Sequence, residues 1–352
     1  MEYTLSLAMI EMLAPIWQRV LQRPSVHTED NFFDLGGDPS SAVQLFREIN
    51  KVSGRALPPI TIYQAQTMGA LAALVADPRP PRFPALVSLR PGMQEPPVFV
   101  SHGLGGSVME VFHLVKSLKT KRAIYGLQSK GIDGTEQPLE RVEDMAEFHL
   151  EGIRKLQPRG PYVLIGYSFG GLVMMEIAQR LQERGERVAM LAMVETYPHR
   201  HQLPLRMRAS LLASLVKRHT AIIGKLPLRK KVAYVTSRAE RRSYSSWDDT
   251  GMANDRPESG LSFAPALDSL RRGDFLAWMH YRPRFYASKI NFVKATRTNS
   301  LFAHDPLGVW TNLAEKLEID TIPGDHFGIV TTHSELLAAV LSQHLAAAFS
   351  EE

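Results

Sequence analysis

Apolar positions in the first part of the chain recur at helical spacing. Ile10, Leu13 and Trp17 follow one another at intervals of three or four residues, and two later runs before residue 76 repeat that interval. Each such run puts its apolar side chains on one face of a helix, and that face must be buried against a neighbour. The pattern therefore predicts a small all-α four-helix bundle over residues 1–76.

A proline-rich stretch separates this bundle from the rest of the chain. Residues 77–84 contain four prolines within eight positions. Proline lacks a backbone N–H and fixes its own φ, so the stretch suits neither a helix interior nor a central strand. We expect a semi-rigid linker over residues 77–85 and a second domain over residues 86–352.

Beyond residue 86, short apolar runs typical of strands alternate with runs of helical period. The strand-like runs are residues 98–101, 123–126, 162–165, 188–194, 290–293 and 317–322. Strands that alternate with helices favour a mostly parallel sheet with helices on both faces. One long interval, residues 197–287, is basic and helix-prone and separates two of the strands. We expect it to form a helical lid that excludes water from a site beneath it.

One of these strands leads into a turn that contains a candidate nucleophile. Residues 166–170, Gly-Tyr-Ser-Phe-Gly, fit Gly-x-Ser-x-Gly, and a helix-like run follows over residues 172–181. The pentapeptide alone would occur by chance in roughly one chain of this length in ten. Its position between a strand and a helix is that of the nucleophile elbow of α/β-hydrolases, in which a strained serine stands at the tip of the turn. Ser168 is therefore the predicted nucleophile.

The chain offers one favoured base and two candidate acids for this serine. A serine hydroxyl needs a base to accept its proton, and the base needs an acid to orient it. In α/β-hydrolases these groups follow in the order serine, acid, histidine. His326 stands in a glycine-flanked loop after the last strand-like run and is the predicted base, whereas His333 introduces the final helix-like run. Glu195 and Asp305 each follow a strand-like run, and both are acceptable as the acid.

The composition excludes several kinds of site. The 352 residues include no cysteine, which excludes disulfides, a cysteine nucleophile and thiolate metal ligands and fits a cytoplasmic location. No metal site is predicted. No apolar run reaches the length of a membrane span, and the N-terminus lacks the pattern of a secretory signal. We therefore expect neither a transmembrane helix nor a secretory signal.

Positive charge is concentrated within the predicted lid. The net charge is +5, and much of the excess lies in residues 200–231 and 238–242. Such clusters are typical of a solvated helical face or of a surface for an acidic protein partner. No interleaved aromatic pattern or recognition helix accompanies the charge, so we do not expect nucleic acid binding.

The N-terminal bundle contains a family signature. Residues 30–38, Asp-Asn-Phe-Phe-Asp-Leu-Gly-Gly-Asp, and the Ala-Val-Gln-Leu at 42–45 resemble the carrier, or thiolation, domains of nonribosomal peptide synthetases. In that family the next residue is the serine that bears the phosphopantetheine arm, but here it is Pro39. Proline suits the first turn of a helix that is capped by Asp38. The resemblance thus implies a carrier fold without its attachment hydroxyl.

Two serines follow that proline. Ser40 and Ser41 could receive the arm only if the helix began one or more residues later, so we interpret both as ordinary first-turn residues. We therefore expect this chain to bear no phosphopantetheine of its own. The expected partner is an acyl- or peptidyl-loaded carrier domain of another synthetase, which would bear the phosphopantetheine.

The larger domain resembles a second family, the type I thioesterase domains of nonribosomal peptide and polyketide synthases. The matching pieces are His-Gly-Leu-Gly-Gly at 102–106, Tyr-Gly-Leu-Gln at 125–128, Gly-Pro-Tyr at 160–162, the serine turn through 171, Tyr-Arg-Pro at 281–283 and Pro-Gly-Asp-His-Phe at 323–327. In that family the acid, usually an aspartate, ends the sixth strand before a Ser/Thr-Tyr-Pro-like stretch, which favours Glu195 over Asp305. The resemblance also implies oxyanion donors at the backbone N–H groups of Leu104 and, directly after the nucleophile, Phe169.

Together these features lead to one hypothesis and two alternatives. The hypothesis is a serine thioesterase that releases an acyl or peptidyl chain from a carrier-bound thioester, by hydrolysis or cyclisation, through an acyl-Ser168 intermediate. The hydrolysis itself would need no cofactor. The alternatives are a hydrolase of oxygen esters or amides, and a non-catalytic scaffold with two degenerate modules.

Overall fold

The computed structural model describes residues 2–79, 81–199, 264–297 and 306–350, together with single positions between 200 and 263. Most of the stretch predicted as a lid, both basic clusters and Asp305 lie outside the described residues. Within the described chain, a helical part precedes residue 77 and an α/β part follows residue 85.

The N-terminal part is a bundle of helices, which confirms the predicted helical fold. Its elements are α1 (Glu2–Leu21), α2 (Pro39–Ser53), the 3-10 helix Pro59–Tyr63 and α3 (Met68–Ala76). The side chains of Trp17, Phe32 and Phe46 are fully buried between them. The rings of Trp17 and Phe32 meet edge to face, with centroids 5.5 Å apart. The apolar stripes seen in the sequence thus pack against one another.

The second part is built on a seven-stranded sheet. Its strands are β1 (Leu86–Arg90), β2 (Gln94–Ser101), β3 (Arg122–Leu127), β4 (Tyr162–Tyr167), β5 (Val188–Val194), β6 (Tyr286–Ala295) and β7 (Ala314–Ile322). They lie in the order β1-β3-β2-β4-β5-β6-β7, and every neighbouring pair is parallel except β1 and β3. This mostly parallel sheet confirms the predicted α/β fold. The sequence does not predict β1, because only one of its five residues is buried.

Helices cover both faces of the sheet. They are α4 (Phe112–Ser117), which continues the 3-10 helix Val108–Val111, α5 (Val142–Leu156), α6 (Phe169–Glu183), α7 (Ala264–His280), α8 (Pro306–Trp310) and α9 (Ser334–Ala347). α4 and α9 pack on one face, and α5 and α6 pack on the other. All six residues of β4 are buried because both faces are covered. Among the described helices, none combines the length and apolarity needed to cross a membrane.

The helical bundle shares an apolar core with the α/β part. The ring centroid of Phe33 lies 5.4 Å from that of Phe112 at the start of α4. Leu270 of α7 belongs to the same buried cluster as the bundle. Residues 77–79 and 81–85, which connect the two parts, form neither helix nor strand. The domain bounds drawn from the sequence stay predictions.

Candidate active site

A sharp turn joins β4 to α6 and puts Ser168 at its tip. Ser168 has φ 54° and ψ −122°, a backbone conformation that non-glycine residues rarely adopt. Strain of this kind costs on the order of 1–3 kcal/mol and clusters at functional sites. A Cβ on Gly166 would collide with α6, and a Cβ on Gly170 would collide with the carbonyl of His102. The glycines thus allow the strand and the helix to approach closely around the serine.

Three of the predicted side chains meet at the C-terminal edge of the sheet. Oγ of Ser168 lies 2.9 Å from Nε2 of His326, and Nδ1 of His326 lies 3.3 Å from Oε2 of Glu195. The three residues are 5%, 3% and 1% exposed, in the same order. Such a series of contacts lets the imidazole take the hydroxyl proton while the carboxylate stabilises the imidazolium. The catalytic roles stay predictions, and the geometry that they require is present.

Backbone groups hold the carboxylate of Glu195 in place. Its Oε1 atom accepts a 2.7 Å hydrogen bond from the N–H of Ala295 at the end of β6, which leaves Oε2 facing His326. The residue follows β5 with φ 48°, in the left-handed region that favours glycine. One carboxylate oxygen of Glu195 therefore bonds to the backbone of β6 while the other faces His326. Asp305, the alternative acid, lies outside the described residues.

The residue before the serine fixes the loop that contains His326. The hydroxyl of Tyr167 donates a 2.8 Å hydrogen bond to the carbonyl of His326, and the two ring centroids are 5.3 Å apart. In the same loop, Asp325 pairs with Arg297 at 3.2 Å. His333, the competing base, lies at the N-cap of α9. The sequence does not predict this hydrogen bond of Tyr167. The only local signal for it is that a tyrosine precedes the nucleophile.

The loop after β2, residues 102–106, lies directly beside the serine. A Cβ on Gly103 would lie only 3.3 Å from the Cβ of Ser168, a crowded contact that glycine avoids. Leu104, one of the two expected oxyanion donors, belongs to this loop. The other, Phe169, is the first residue of α6. The two expected donor residues therefore come from segments that adjoin Ser168.

Two carboxylates accept hydrogen bonds from this loop. The N–H of Gly103 donates to Glu110 at 3.0 Å, and the N–H of Gly105 donates to Asp274 at 3.1 Å. Burial raises the pKa of Asp274 to about 7; the bond from Gly105 opposes this rise and the charge of Glu110 adds to it. Sequence reasoning missed both residues. The bond to Asp274 joins positions 169 residues apart, which no local pattern connects.

Two buried histidines, His102 in this loop and His149 of α5, lie close to it. Burial lowers the pKa of His102, and burial also lowers the pKa of His149 to about 3, so both are neutral near pH 7. Nδ1 of His102 lies 2.7 Å from the carbonyl oxygen of Gly103, and its Nε2 lies 3.2 Å from Oγ of Ser129. Nδ1 of His149 has no hydrogen-bond partner among the described residues. Both side chains therefore act as neutral polar groups at this loop.

A cavity opens between the glycine loop and the start of α6. The space is small and lies beside the serine turn rather than around Ser168 itself. Its wall is partly apolar, and six polar side chains also line it: Ser101, His102, Ser129, Lys130, His149 and Asp274. Phe169 lines it too, so the cavity adjoins the serine turn. Within the described ranges, no three histidine, aspartate or glutamate side chains are grouped as metal ligands.

The position that the carrier resemblance assigns to the arm lies at the start of α2. Pro39 is the first residue of the helix, and Asp38 caps it by accepting a 2.7 Å bond from the N–H of Ser41. The hydroxyl of Ser41 accepts a 2.7 Å bond from the N–H of Asp38 in return. Ser40 is exposed. The helix therefore starts at the proline, and the Ser41 hydroxyl belongs to the cap.

Two family models match the chain. Residues 96–345 match the model of the thioesterase domain, and residues 11–75 match the model described as the phosphopantetheine attachment site. This chain therefore contains a phosphopantetheine-attachment domain, which counts against the expectation that the arm belongs only to another carrier. The residue at the expected attachment position is nevertheless Pro39.

The chain is similar to segments of nonribosomal peptide synthetases. Over 251 residues it is 34% identical to a dimodular nonribosomal peptide synthase of Bacillus subtilis. The aligned residues cover 69% of this chain and 10% of that protein. Over 173 residues it is 39% identical to the indigoidine synthase of Dickeya dadantii. That alignment covers 49% of this chain and 12% of that protein. The chain thus spans about a tenth of the length of these curated relatives.

Solved structures share the fold. A four-domain nonribosomal peptide synthetase bound to AMP and glycine has a TM-score of 0.55 at 23% identity, with 95% of this chain and 26% of that chain covered. The type II thioesterase of the borrelidin biosynthetic cluster has a TM-score of 0.51 at 18% identity, with 74% of this chain and 97% of that chain covered. At these identities the likeness is one of fold alone.

Proposed function

The chain belongs to the thioesterase-domain family, and on that premise we propose that it is a serine thioesterase of nonribosomal peptide-type biosynthesis. Its substrate would be an acyl or peptidyl thioester. The 2.9 Å contact between Oγ of Ser168 and Nε2 of His326, with Glu195 behind the imidazole, is the observation that supports this most directly. The chain spans only about a tenth of the length of its curated relatives, so any activity or partner of a longer protein is part of this proposal.

In the first half-reaction Ser168 becomes acylated. Its hydroxyl proton passes to Nε2 of His326 as Oγ attacks the carbonyl carbon of the thioester, and Glu195 stabilises the imidazolium. The N–H groups of Leu104 and Phe169 stabilise the oxyanion, each by roughly 3–4 kcal/mol. The carbon–sulfur bond then breaks, the departing sulfur takes the proton from His326, and the acyl group remains on Ser168.

In the second half-reaction the acyl group leaves the serine. Neutral His326 takes a proton from the incoming nucleophile, and this proton returns to Oγ of Ser168 as the ester bond breaks. Water would give a free acid, whereas an amine or hydroxyl of the acyl chain itself would give a ring. Neither outcome needs a cofactor. A lid over residues 197–287 would favour ring closure by excluding water.

We also propose how the substrate arrives. Residues 1–76 would form a carrier-like docking domain, joined by the linker 77–85 to the thioesterase domain 86–352. The thioester would be held by the phosphopantetheine of a loaded carrier domain of another synthetase. Pro39 supports this, because it has no hydroxyl, and so does the commitment of the Ser41 hydroxyl to the helix cap. The family match over residues 11–75 counts against it, so loading must be tested directly.

Labelling and kinetics test the nucleophile. A fluorophosphonate should add once to the wild-type chain, at Ser168, and should not add to Ser168→Ala, which should also lose turnover of an acyl-thioester. A wild-type chain without the adduct would contradict the proposal and favour a non-catalytic scaffold. Faster turnover of the matching oxygen ester than of the thioester would favour an ester hydrolase instead.

A further inference from the structure

The loop that contains Leu104 is anchored on both sides of that residue. The N–H of Gly103 donates to Glu110 at 3.0 Å, and the N–H of Gly105 donates to Asp274 at 3.1 Å. Each bond fixes one peptide plane, and the N–H of Leu104 belongs to the plane between them. Because adjacent peptide planes share an α-carbon, the direction of this N–H depends on both carboxylates.

The composition of the loop makes such anchors necessary. Gly105 and Gly106 have φ values of 139° and 73°, and Gly103 is the third glycine within residues 102–106. Glycine has the largest conformational freedom to lose, so a segment of this composition does not keep one shape unaided. An oxyanion donor must nevertheless lie about 2.7–3.1 Å from the developing charge. Hydrogen bonds from outside the loop supply the missing rigidity.

Asp274 ties this loop to α7, a helix within the stretch predicted as a lid. One turn earlier, Leu270 is 1% exposed, and one turn later, Trp278 donates its indole N–H to the carbonyl of Tyr197 at 2.9 Å. Asp274 itself is 1% exposed. An aspartate is rarely buried this fully unless it is hydrogen-bonded, and the bond from Gly105 meets that need. Asp274 thus links α7 to the glycine loop through a single hydrogen bond.

We propose that Asp274 and Glu110 are positioning residues that aim the N–H of Leu104 at the oxyanion, and that Asp274 couples this donor to α7. The inference rests on the proposed thioesterase function, which assigns an oxyanion donor to this loop. Neither carboxylate touches the reacting atoms. Each acts through a backbone N–H beside the donor, so its loss should lower kcat while substrate binding is kept.

Two substitutions of Asp274 test the role. Asp274→Leu removes the acceptor and should lower kcat by about 100-fold, as loss of an oxyanion donor does, with KM changed by less than about threefold. In assays at about pH 8, above the raised pKa of Asp274, Asp274→Asn keeps an oxygen that accepts from Gly105 but is a weaker acceptor than the carboxylate, so kcat should fall by only about tenfold. Glu110→Gln should resemble Asp274→Asn.

Asp268→Asn is the matched control, since Asp268 lies on the same helix with its side chain 66% exposed. It should leave kcat and KM unchanged. Thermal unfolding of each variant identifies any that fail to fold. If Asp274→Leu is among them, Asp274→Asn decides, and a kcat equal to that of Asp268→Asn would overturn the inference.

Hydrogen exchange of the peptide that contains residues 102–106 separates this inference from the proposed function. Exchange of the Gly105 amide should be faster in both Asp274 variants than in Asp268→Asn, whether or not the protein turns over a thioester. Faster exchange in a protein without Ser168-dependent turnover would refute the function and leave the anchor intact. Unchanged exchange, or a normal kcat despite faster exchange, would overturn the inference.

Discussion

The hydroxyl of Tyr167 donates a 2.8 Å hydrogen bond to the backbone carbonyl of His326. The bond joins the residue before the proposed nucleophile to the proposed base, across 159 positions of the chain. The rings of the two residues also lie against each other, with centroids 5.3 Å apart. The loop that contains His326 is therefore tied to the serine turn through Tyr167.

Tyr167→Phe should lower kcat by about tenfold, because the loop that contains His326 loses the bond that fixes it to the turn. Steady-state kinetics on an acyl-thioester would measure this. The matched control is Tyr162→Phe on the same strand, whose hydroxyl donates a 2.9 Å bond to the carbonyl of Gln157. Each variant should lose about 1 kcal/mol of unfolding free energy, and only Tyr167→Phe should lose activity. Equal kcat values in the two variants would show that the bond does not position the base.

Substitutions of Glu195 test the proposed acid. Glu195→Gln keeps the shape of the side chain but removes its charge, so kcat should fall on the order of 10⁴-fold. Glu195→Asp retracts the carboxylate by one methylene, so it should lose either the Ala295 bond or the contact to His326 and show an intermediate loss. Stopped-flow measurement of acyl transfer would separate these effects from product release.

Asp305→Asn provides the comparison for the acid. We expect this variant to keep near wild-type kcat, because Glu195 already lies 3.3 Å from Nδ1 of His326. A harmless Glu195→Gln together with a severe Asp305→Asn would reassign the acid to Asp305.

The local pattern of the sequence is sufficient for the serine turn and for six of the seven strands in the described sheet. The apolar run of β4, the glycine that ends it and the helical period that follows are all contiguous, so they predict the turn directly. Chain order then points to His326. The choice between Glu195 and Asp305 is different, because both follow a strand and only the family resemblance separates them.

Contacts that the sequence could not predict join distant positions. The bond between Gly105 and Asp274 and the bond between Tyr167 and His326 depend on which segments the fold brings together, and hydrophobic periodicity does not encode that. The edge strand β1 was missed for another reason. Its partly exposed residues give no alternation, and it lies at the edge of the sheet, paired with β3.

Loading of the helical domain should depend on residue 39. The wild-type chain, incubated with a phosphopantetheinyl transferase and coenzyme A, should keep its mass, whereas Pro39→Ser should gain the mass of one arm. The substitution puts a hydroxyl at the first residue of α2 and leaves Asp38 as the cap. Intact-protein mass spectrometry measures both outcomes.

A mass gain by the wild-type chain would contradict the proposed delivery from another synthetase. Ser40→Ala and Ser41→Ala would then locate the arm. We would expect Ser40 to be the site in that case, because it is exposed while the Ser41 hydroxyl bonds to Asp38.

Buried His149 should make the stability of the fold depend on pH. Burial lowers its pKa from 6.5 to about 3, so between these values the unfolded chain binds a proton that the folded chain does not. The contribution of this residue is therefore fully present above the unfolded pKa and is lost as the pH falls toward the folded one. As the pH falls through this range, the free energy of unfolding should decrease by up to about 1.4 kcal/mol per pH unit because of His149.

His149→Gln should flatten this acid-side slope, as urea unfolding at several pH values between about 7 and 5 would measure. Some slope should remain, because burial also lowers the pKa of His102. Asp274 acts in the opposite sense: its pKa is raised to about 7, so its contribution to stability is lost as the pH rises through that value. Equal slopes in the wild type and His149→Gln would mean that His149 is protonated in the folded chain.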